Sequence, residues 1–198
     1  MNFTHKLLFL LLLIYFKTVF IIADGIIRLK RWLVDNPKAL KSALVDELRD
    51  IQTFAALRPA DRMIIYIGAV FTESAATSNE TNMHIDTLQA LTSEKIQQRH
   101  FIGALEWFCG THMKTSLKKY FPVLLKHAYD ADLLDEDIIL QWSQDSIQNQ
   151  HCADRSMIDY DTLEELRESA KPFIIWLQEA DEESDDDNDD DEESNEED

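Results

Sequence analysis

The chain has 198 residues, a formal net charge of −19 at pH 7 and a hydrophobic content of 45%, with only four glycines and four prolines. This apolar content is enough for the core of one ordinary domain, and the scarcity of glycine and proline favours helices over sheets. A molecule this acidic repels the backbone of DNA. Its two cysteines, Cys109 and Cys152, are too few for a disulfide framework or a four-cysteine zinc site, and are typical of reduced thiols in a cytoplasmic protein.

The chain begins with a hydrophobic segment. Residues 7–23 are apolar except for Lys17 and Thr18. A run of this kind after a short basic start is typical of a signal peptide. As a membrane anchor it is barely long enough, and Lys17 near its middle costs about 3 kcal/mol. The interpretation we favour is a non-functional extension from a gene-model error, but in each case we predict that residues 1–25 are a leader ending at Asp24-Gly25.

Between residues 26 and 180, apolar side chains recur every three or four positions, which predicts an all-α domain of paired helices. The first helix is expected from Lys38 to Ala55, and Asp61 is the expected N-cap of the second. Residues 72–82 are small and polar, which predicts a surface loop.

Further helix ends are marked in the second half of the domain. Ser93 is the expected cap of a helix that Gly110 ends in a left-handed conformation. Asp161 and Glu164 have the spacing of a capping box at the start of the last helix, which Pro172 should interrupt. No apolar residue follows Ala180, so residues 181–198 are predicted to be a disordered acidic tail.

The most clearly marked helix starts after Asp135. This residue is the expected N-cap, and Glu136 and Asp137 occupy the first turn, where the helix dipole favours anions. Trp142 follows one turn beyond Ile138 on the same face. A tryptophan on such an apolar stripe is expected in the core.

Acidic and aromatic residues concentrate in residues 130–198, which hold 27 acids and three bases, whereas residues 1–129 hold 16 bases and 11 acids. Trp176 stands beside the apolar stripe of its helix, at the edge of the acidic segment. A negative surface with an accessible aromatic ring is suited to lysine-rich partners. The upstream lysines form either a solvated helix face or a contact with RNA or with the acidic tail; they are Lys114, Lys118, Lys119 and Lys126.

No motif for enzymatic chemistry is visible. The chain has no glycine-rich phosphate loop, no dinucleotide fingerprint and no HExxH pair. A zinc site from Cys109, His112, His151 and Cys152 would require two adjacent residues to face one metal ion, which is difficult. The carboxylates near residue 135 lack the burial that a general acid requires. We therefore predict no enzyme, no metal and no cofactor.

Two stretches carry a resemblance to a known family. Tyr129 to Leu134 (YDADLL), together with Ile138 to Trp142 (IILQW), resembles the first acidic/aromatic box in the C-terminal domain of eukaryotic translation initiation factor 5. Lys171 to Ser184 (KPFIIWLQEADEES) resembles the second box. The epsilon subunit of initiation factor 2B and the factor-5 mimic proteins share this two-box domain. The resemblance covers residues 95–184 in detail.

The resemblance implies a HEAT-like helical domain that binds other initiation factors. In the family, the boxes bind the lysine-rich segment of the beta subunit of initiation factor 2, and the domain also contacts initiation factors 3, 1 and 4G. The positions that would form the binding surface here are Asp130, Asp132, Asp135, Glu136, Asp137, Trp142, Phe173, Trp176, Glu179, Asp181, Glu182 and Glu183.

The resemblance also leaves alternatives open. The half of factor 5 that activates GTP hydrolysis has no counterpart here, so the implied activity is that of an adaptor, with retention of GDP on initiation factor 2 as a further expectation. The alternatives are guanine-nucleotide exchange, as in the epsilon subunit, and a membrane-tethered acidic binding module. Ser184 and Ser194 precede acids at the spacing that an acid-directed kinase requires, and phosphate there would add negative charge.

Overall fold

The computed structural model describes residues 3–112, 118–146 and 157–186, with side chains described from Val19 to Thr111, over 118–146 and over 157–179. These residues form α-helices and no strand, which confirms the all-α prediction. The helices are α1 (Phe3–Asp35), α2 (Lys41–Phe54), α3 (Pro59–Val70), α4 (Glu80–Met83), α5 (Ile85–Leu91), α6 (Lys95–Trp107), α7 (Phe121–Asp130), α8 (Glu136–Gln144) and α9 (Tyr160–Asp186).

Helix α3 lies at the centre of the N-terminal half, where it packs against both α1 and α6. Its residues Ile64 to Ile67 are all buried, because a helix covered on two sides can be apolar around its circumference. In the C-terminal half, α7 and α8 pack against α6 and α9. Helix α6 is therefore shared by both halves, and one continuous core runs through the domain.

The predicted leader boundary at Asp24-Gly25 is absent, since α1 continues through it. Ile22 is buried in the core together with Ile26 and Leu29. Gly25 marks a close approach between helices rather than a helix end, because a Cβ there would lie 2.7 Å from Cδ1 of Ile65. Part of the segment predicted as a leader thus belongs to the folded domain. Among the residues whose side chains are described, no helix is long and apolar enough to cross a membrane.

The starts of α3 and α9 differ from the prediction. Helix α3 begins at Pro59, and Asp61 is its third residue, where its carboxylate accepts a 3.0 Å hydrogen bond from the backbone N–H of Arg58. Helix α9 is capped by Asp159 instead of Asp161. The Asp159 carboxylate accepts hydrogen bonds from the backbone N–H and the hydroxyl of Thr162, at 2.8 and 2.9 Å, and these bonds lower its pKa. In both helices an aspartate carboxylate accepts hydrogen bonds in the first turn, but sequence spacing missed the register of the N-cap.

The segment 72–82 is more ordered than a surface loop. Ala75 and Ala76 are buried, and residues 80–83 form the short helix α4. The buried carboxylate of Glu80 accepts a 2.7 Å hydrogen bond from the backbone N–H of Thr72 and a second bond from its hydroxyl. These hydrogen bonds hold the segment in a defined conformation. The polar composition of residues 72–82 does not reveal them, so the sequence predicted a loop.

Gly110 is not a left-handed cap. It lies in a π-helical turn (Phe108–His112), and no described glycine has a positive φ. A Cβ on Gly110 would lie 3.0 Å from Cγ2 of Thr162 and 3.2 Å from Cγ2 of Ile158, so the glycine permits close packing against the start of α9. The N-cap of α6 is Glu94, one residue after the predicted cap Ser93.

Helix α9 is longer than predicted. Pro172 lies inside it without ending it, and the helix continues to Asp186, past the predicted start of the tail at Asp181. Residues 187–198 lie outside the described part of the chain, so the disorder of the tail stays a prediction there.

Candidate acidic and aromatic binding surface

The turn between α7 and α8 presents the first group of acids. Asp132 adopts a left-handed conformation with φ of 54°, and the backbone N–H of Leu133 returns to the carbonyl of Ala128 at 2.9 Å. Leu133 and Leu134 are buried beneath the turn, whereas Asp130 and Asp132 are exposed. The two leucines therefore anchor the turn, and the acids that precede them face solvent.

The start of α8 adds three more acids. Asp135 has the extended backbone of an N-cap, as predicted, although its side chain makes no capping hydrogen bond. Its backbone N–H instead donates to the Gln98 side chain at 2.8 Å, which fixes α8 to α6. The Glu136 carboxylate accepts a 3.4 Å hydrogen bond from the hydroxyl of Tyr129. Asp137 forms an ion pair with Lys95.

An aromatic cluster joins the two boxes. Tyr129, from the first box, makes edge-on contacts with Phe173 and Trp176 of α9, each with ring centroids 6.1 Å apart. Phe173 and Trp176 are stacked at 5.9 Å with an interplanar angle of 17°. Phe173 is nearly buried, but Trp176 is 46% exposed. Segments about 45 residues apart in sequence thus form a single surface whose outer ring is accessible.

A lysine already occupies part of this surface. The ammonium group of Lys126 lies 5.4 Å from the centroid of the Trp176 ring. It also donates to both carboxylate oxygens of Asp130, at 2.7 and 2.8 Å. The site can therefore hold a cation between an aromatic face and a carboxylate.

Beside the cluster, a groove of about 600 Å³ is lined by residues of α7 and α9. Burial lowers the pKa of His127 on its wall, and the nearby charge of Lys126 acts in the same direction, while Asp130 opposes it. The groove is mostly apolar and has charged groups at its rim. Its lining consists of Pro122, Val123, Lys126, His127, Asp130, Ser169, Pro172, Phe173 and Trp176.

Trp142 lies elsewhere, in the interior. It is 1% exposed, and its Nε1–H donates to Oε1 of the fully buried Glu106 at 2.9 Å. The guanidinium of Arg167 lies 5.2 Å from the centroid of its ring and also reaches the backbone carbonyl of Asp145. Trp142 therefore joins α6, α8 and α9 from the inside, as its position on an apolar stripe predicted, and does not contribute to the surface.

The second half of the chain is similar to a known protein family. Residues 97–187 match the model of the family W2, described as eIF4-gamma/eIF5/eIF2-epsilon. The match covers 91 of the 198 residues, so it is a similarity of the second half of the chain to this family. The match agrees with the residues 95–184 over which the resemblance was predicted in detail.

Individual relatives agree with the family match. Eukaryotic translation initiation factor 5 of Mus musculus is 36% identical over 90 residues, which cover 46% of this chain and 19% of the relative. The same factor of Drosophila melanogaster is 29% identical over 144 residues, covering 69% of this chain and 29% of the relative. The chain thus spans about a fifth to a third of the length of these relatives.

A solved structure shares the fold. The C-terminal domain of translation initiation factor 5, determined at low pH, superposes with a TM-score of 0.61 at 23% identity and covers 83% of this chain and 97% of that one. This confirms the HEAT-like fold.

The structure adds residues to this surface that sequence reasoning did not select. Lys126 and Tyr129 contact Trp176 directly, and Pro122 and Val123 line the groove. The i,i+4 spacing of Lys126 and Asp130 was a visible signal for one of these contacts. The contact of Tyr129 with α9 had no such signal, because it depends on how the helices pack.

Several predicted positions lie outside what the structure describes. Glu179 is exposed near the end of α9, but the side chains of Asp181, Glu182, Glu183 and Ser184 are outside the described residues, as is Ser194. The same holds for His151 and Cys152. Burial raises the pKa of Cys109 to about 12, so this thiol is not poised as a nucleophile. No cluster of metal-ligating side chains occurs among the residues described.

Proposed function

We propose that this chain is a non-enzymatic adaptor of translation initiation in the cytoplasm, and that it binds the lysine-rich segment of initiation factor 2 beta on the surface formed by Asp130, Asp132, Asp135, Tyr129 and Trp176. One observation carries the proposal: the two acidic/aromatic boxes meet at the exposed Trp176 ring, where a cation is already held between the ring and a carboxylate.

The electrostatics of the surface support a basic partner. Asp132 and Asp135 are exposed, and neither forms an ion pair with a basic side chain that the structure describes. Further acids continue along the same chain beyond Glu179. Exposed carboxylates attract lysines over about 8 Å at physiological ionic strength, so they raise the association rate and make binding dependent on salt.

The apolar groove supports a contact beyond charge. The stems of lysine side chains are aliphatic and pack along apolar surface while their ammonium groups stay in water. The groove between α7 and α9 offers such surface next to Asp130. A segment with several lysines can therefore place ammonium groups on the acids and methylene groups in the groove. Contacts to initiation factors 3, 1 and 4G are part of the same proposal, on surfaces that we do not assign.

The test is a titration of the full chain with a lysine-rich peptide from initiation factor 2 beta at two salt concentrations. We expect binding to weaken at higher salt, and Trp176→Ala to weaken it about tenfold or more. Asp132→Asn should weaken binding about two- to fivefold, because asparagine tolerates the left-handed conformation and only the charge is lost. Asp50→Asn, an exposed acid on α2, is the matched control and should have no effect.

Absence of binding at low salt by a protein that is folded by circular dichroism would overturn the proposal. So would binding that Trp176→Ala leaves unchanged.

Guanine-nucleotide exchange is a second candidate, because the matched family includes eIF2-epsilon. Release of GDP from purified initiation factor 2 separates the two functions. An adaptor slows release or leaves it unchanged, whereas an exchange factor accelerates it.

A further inference from the structure

Lys126 belongs to the chain itself, yet it holds the position that the proposed function assigns to a partner's lysine. Its ammonium group lies 5.4 Å from the centroid of Trp176 and within 2.8 Å of both oxygens of Asp130. The other described lysines do not combine these contacts. Lys95 and Lys171 pair with carboxylates, of Asp137 and Glu168, and Lys119 lies over the ring of its neighbour Tyr120.

The interactions of Lys126 with Asp130 are weak enough for another cation to replace the Lys126 ammonium group. The Lys126 and Asp130 side chains are each 49% exposed, so water and salt screen their attraction. The pair also has the lysine on the N-terminal side of the acid, which is the less favourable order on a helix. Asp130 stands at the C-terminal end of α7, where the helix dipole opposes a negative charge.

The arrangement of the backbone keeps Lys126 close to the site when it is displaced. It lies one helical turn before Asp130 on α7, so its ammonium group can leave the Trp176 ring by rotating side-chain bonds, with no movement of the helix. Lys126 therefore competes with every incoming cation at the effective concentration of a tethered group.

We propose that Lys126 is an internal competitor that occupies the lysine subsite between Trp176 and Asp130, and that a partner binds by displacing it. This inference rests on the proposed function and specifies the partner. A single lysine would only replace one ammonium group by another, so the exchange favours a segment with several lysines, which also reach the acids that Lys126 leaves open, Asp132 and Asp135. Lys126 thus selects runs of lysine over isolated lysines.

The experiment compares substitutions at Lys126 with the same substitutions at Lys171, in the full chain. Lys171 is a matched control because it is exposed, pairs with an acid three residues before it, and lies on α9, which carries Trp176. Lys126→Met empties the subsite and should tighten binding of the lysine-rich peptide about three- to tenfold, whereas Lys171→Met, with the same change in net charge, should change it less than about twofold.

Arginine provides the test at constant net charge. Lys126→Arg should weaken binding about two- to fivefold, because a guanidinium stacks on the ring and pairs with a carboxylate better than an ammonium does, whereas Lys171→Arg should have no effect. The indole N–H resonance of Trp176 should also move on peptide addition less in the Lys126→Arg protein than in the wild type.

The outcomes separate the two proposals. If the wild-type chain does not bind the peptide, the proposed function fails. If it binds, and Lys126→Met tightens binding no more than Lys171→Met while Lys126→Arg leaves it unchanged, the internal competitor is disproved and the adaptor function stands.

Discussion

The domain contains two tryptophan sites built from the same three kinds of group. In the interior, Trp142 has the guanidinium of Arg167 at 5.2 Å from its ring and the carboxylate of Glu106 at 2.9 Å from its Nε1. At the surface, Trp176 has the ammonium of Lys126 at 5.4 Å, and this ammonium is bound to the carboxylate of Asp130. Trp142 is 1% exposed and Trp176 is 46% exposed.

Burial makes the difference between a structural site and an exchangeable one. Glu106 and Arg167, 4.0 Å apart, are 0% and 14% exposed, so the loss of either takes an opposite charge away from a group that is largely removed from water. Lys126 and Asp130 can return to water at little cost. The first site therefore fixes α6, α8 and α9 in place, whereas the second is the site at which we propose that a partner's cation replaces Lys126.

The largest expected effect is the loss of the interior carboxylate. Glu106→Ala should lower the free energy of unfolding by about 3–5 kcal/mol, because it removes a buried carboxylate from beside Arg167 and removes the acceptor of the Trp142 Nε1–H. Asp130→Ala, its counterpart at the surface, should change it by less than about 0.5 kcal/mol. Urea unfolding followed by circular dichroism measures both. Equal losses in the two variants would show that the sites do not differ in the way proposed.

A purely apolar substitution sets the scale for the interior site. Ile22→Ala removes a side chain that is 1% exposed and should lower the free energy of unfolding by about 2–4 kcal/mol. Val34→Ala, on the exposed side of the same helix, should cost less than about 0.5 kcal/mol. If Ile22→Ala costs no more than Val34→Ala, the segment before Gly25 is dispensable, as a leader would be.

That segment shows where prediction from sequence fails. The run of apolar residues up to Ala23 has the composition of a leader, and only its packing against α3 shows that Ile22, in its last turn, is part of the core. Composition does not distinguish a helix that is buried in protein from one that is buried in lipid. Gly25 was misinterpreted for the same reason, since its role depends on Ile65, which is 40 residues away in sequence.

The candidate site was predictable to the extent that it depends on local sequence. The N-cap at Asp135 and the core position of Trp142 follow from helical spacing, and the structure confirms both. The inclusion of Trp142 in the binding surface was wrong because the ring is buried, and the binding role of the acids stays a prediction. The contact of Tyr129 with Trp176 follows from the way α7 crosses α9, which no local pattern encodes. The partner of Trp142, Glu106, was missed because a single acid on an apolar helix does not show which donor it faces.

The smallest expected effect is a pH dependence of stability that arises at the surface site and not at the interior one. His127 lies on the groove wall next to the surface site, and burial, together with Lys126, lowers its pKa below the usual 6.5, with Asp130 opposing. The neutral form is thus preferred in the folded protein, and its contribution to stability is fully present above pH 6.5. As the pH falls below that value and through the lower folded-state pKa, the unfolded chain binds the proton first and this contribution is lost.

The measurement compares the wild type with His127→Gln between pH 7.5 and 5. Burial also lowers the pKa of His84, but this histidine is present in both proteins, so its contribution cancels in the difference. We expect the wild type to lose slightly more stability than the variant on acidification. Binding of the lysine-rich peptide should also weaken more in the wild type, because a protonated His127 places a second cation beside Lys126. If the two proteins respond identically to pH, His127 is too well solvated to influence the surface, and the response to acid must come from the carboxylates, as it would at any other exposed acidic site.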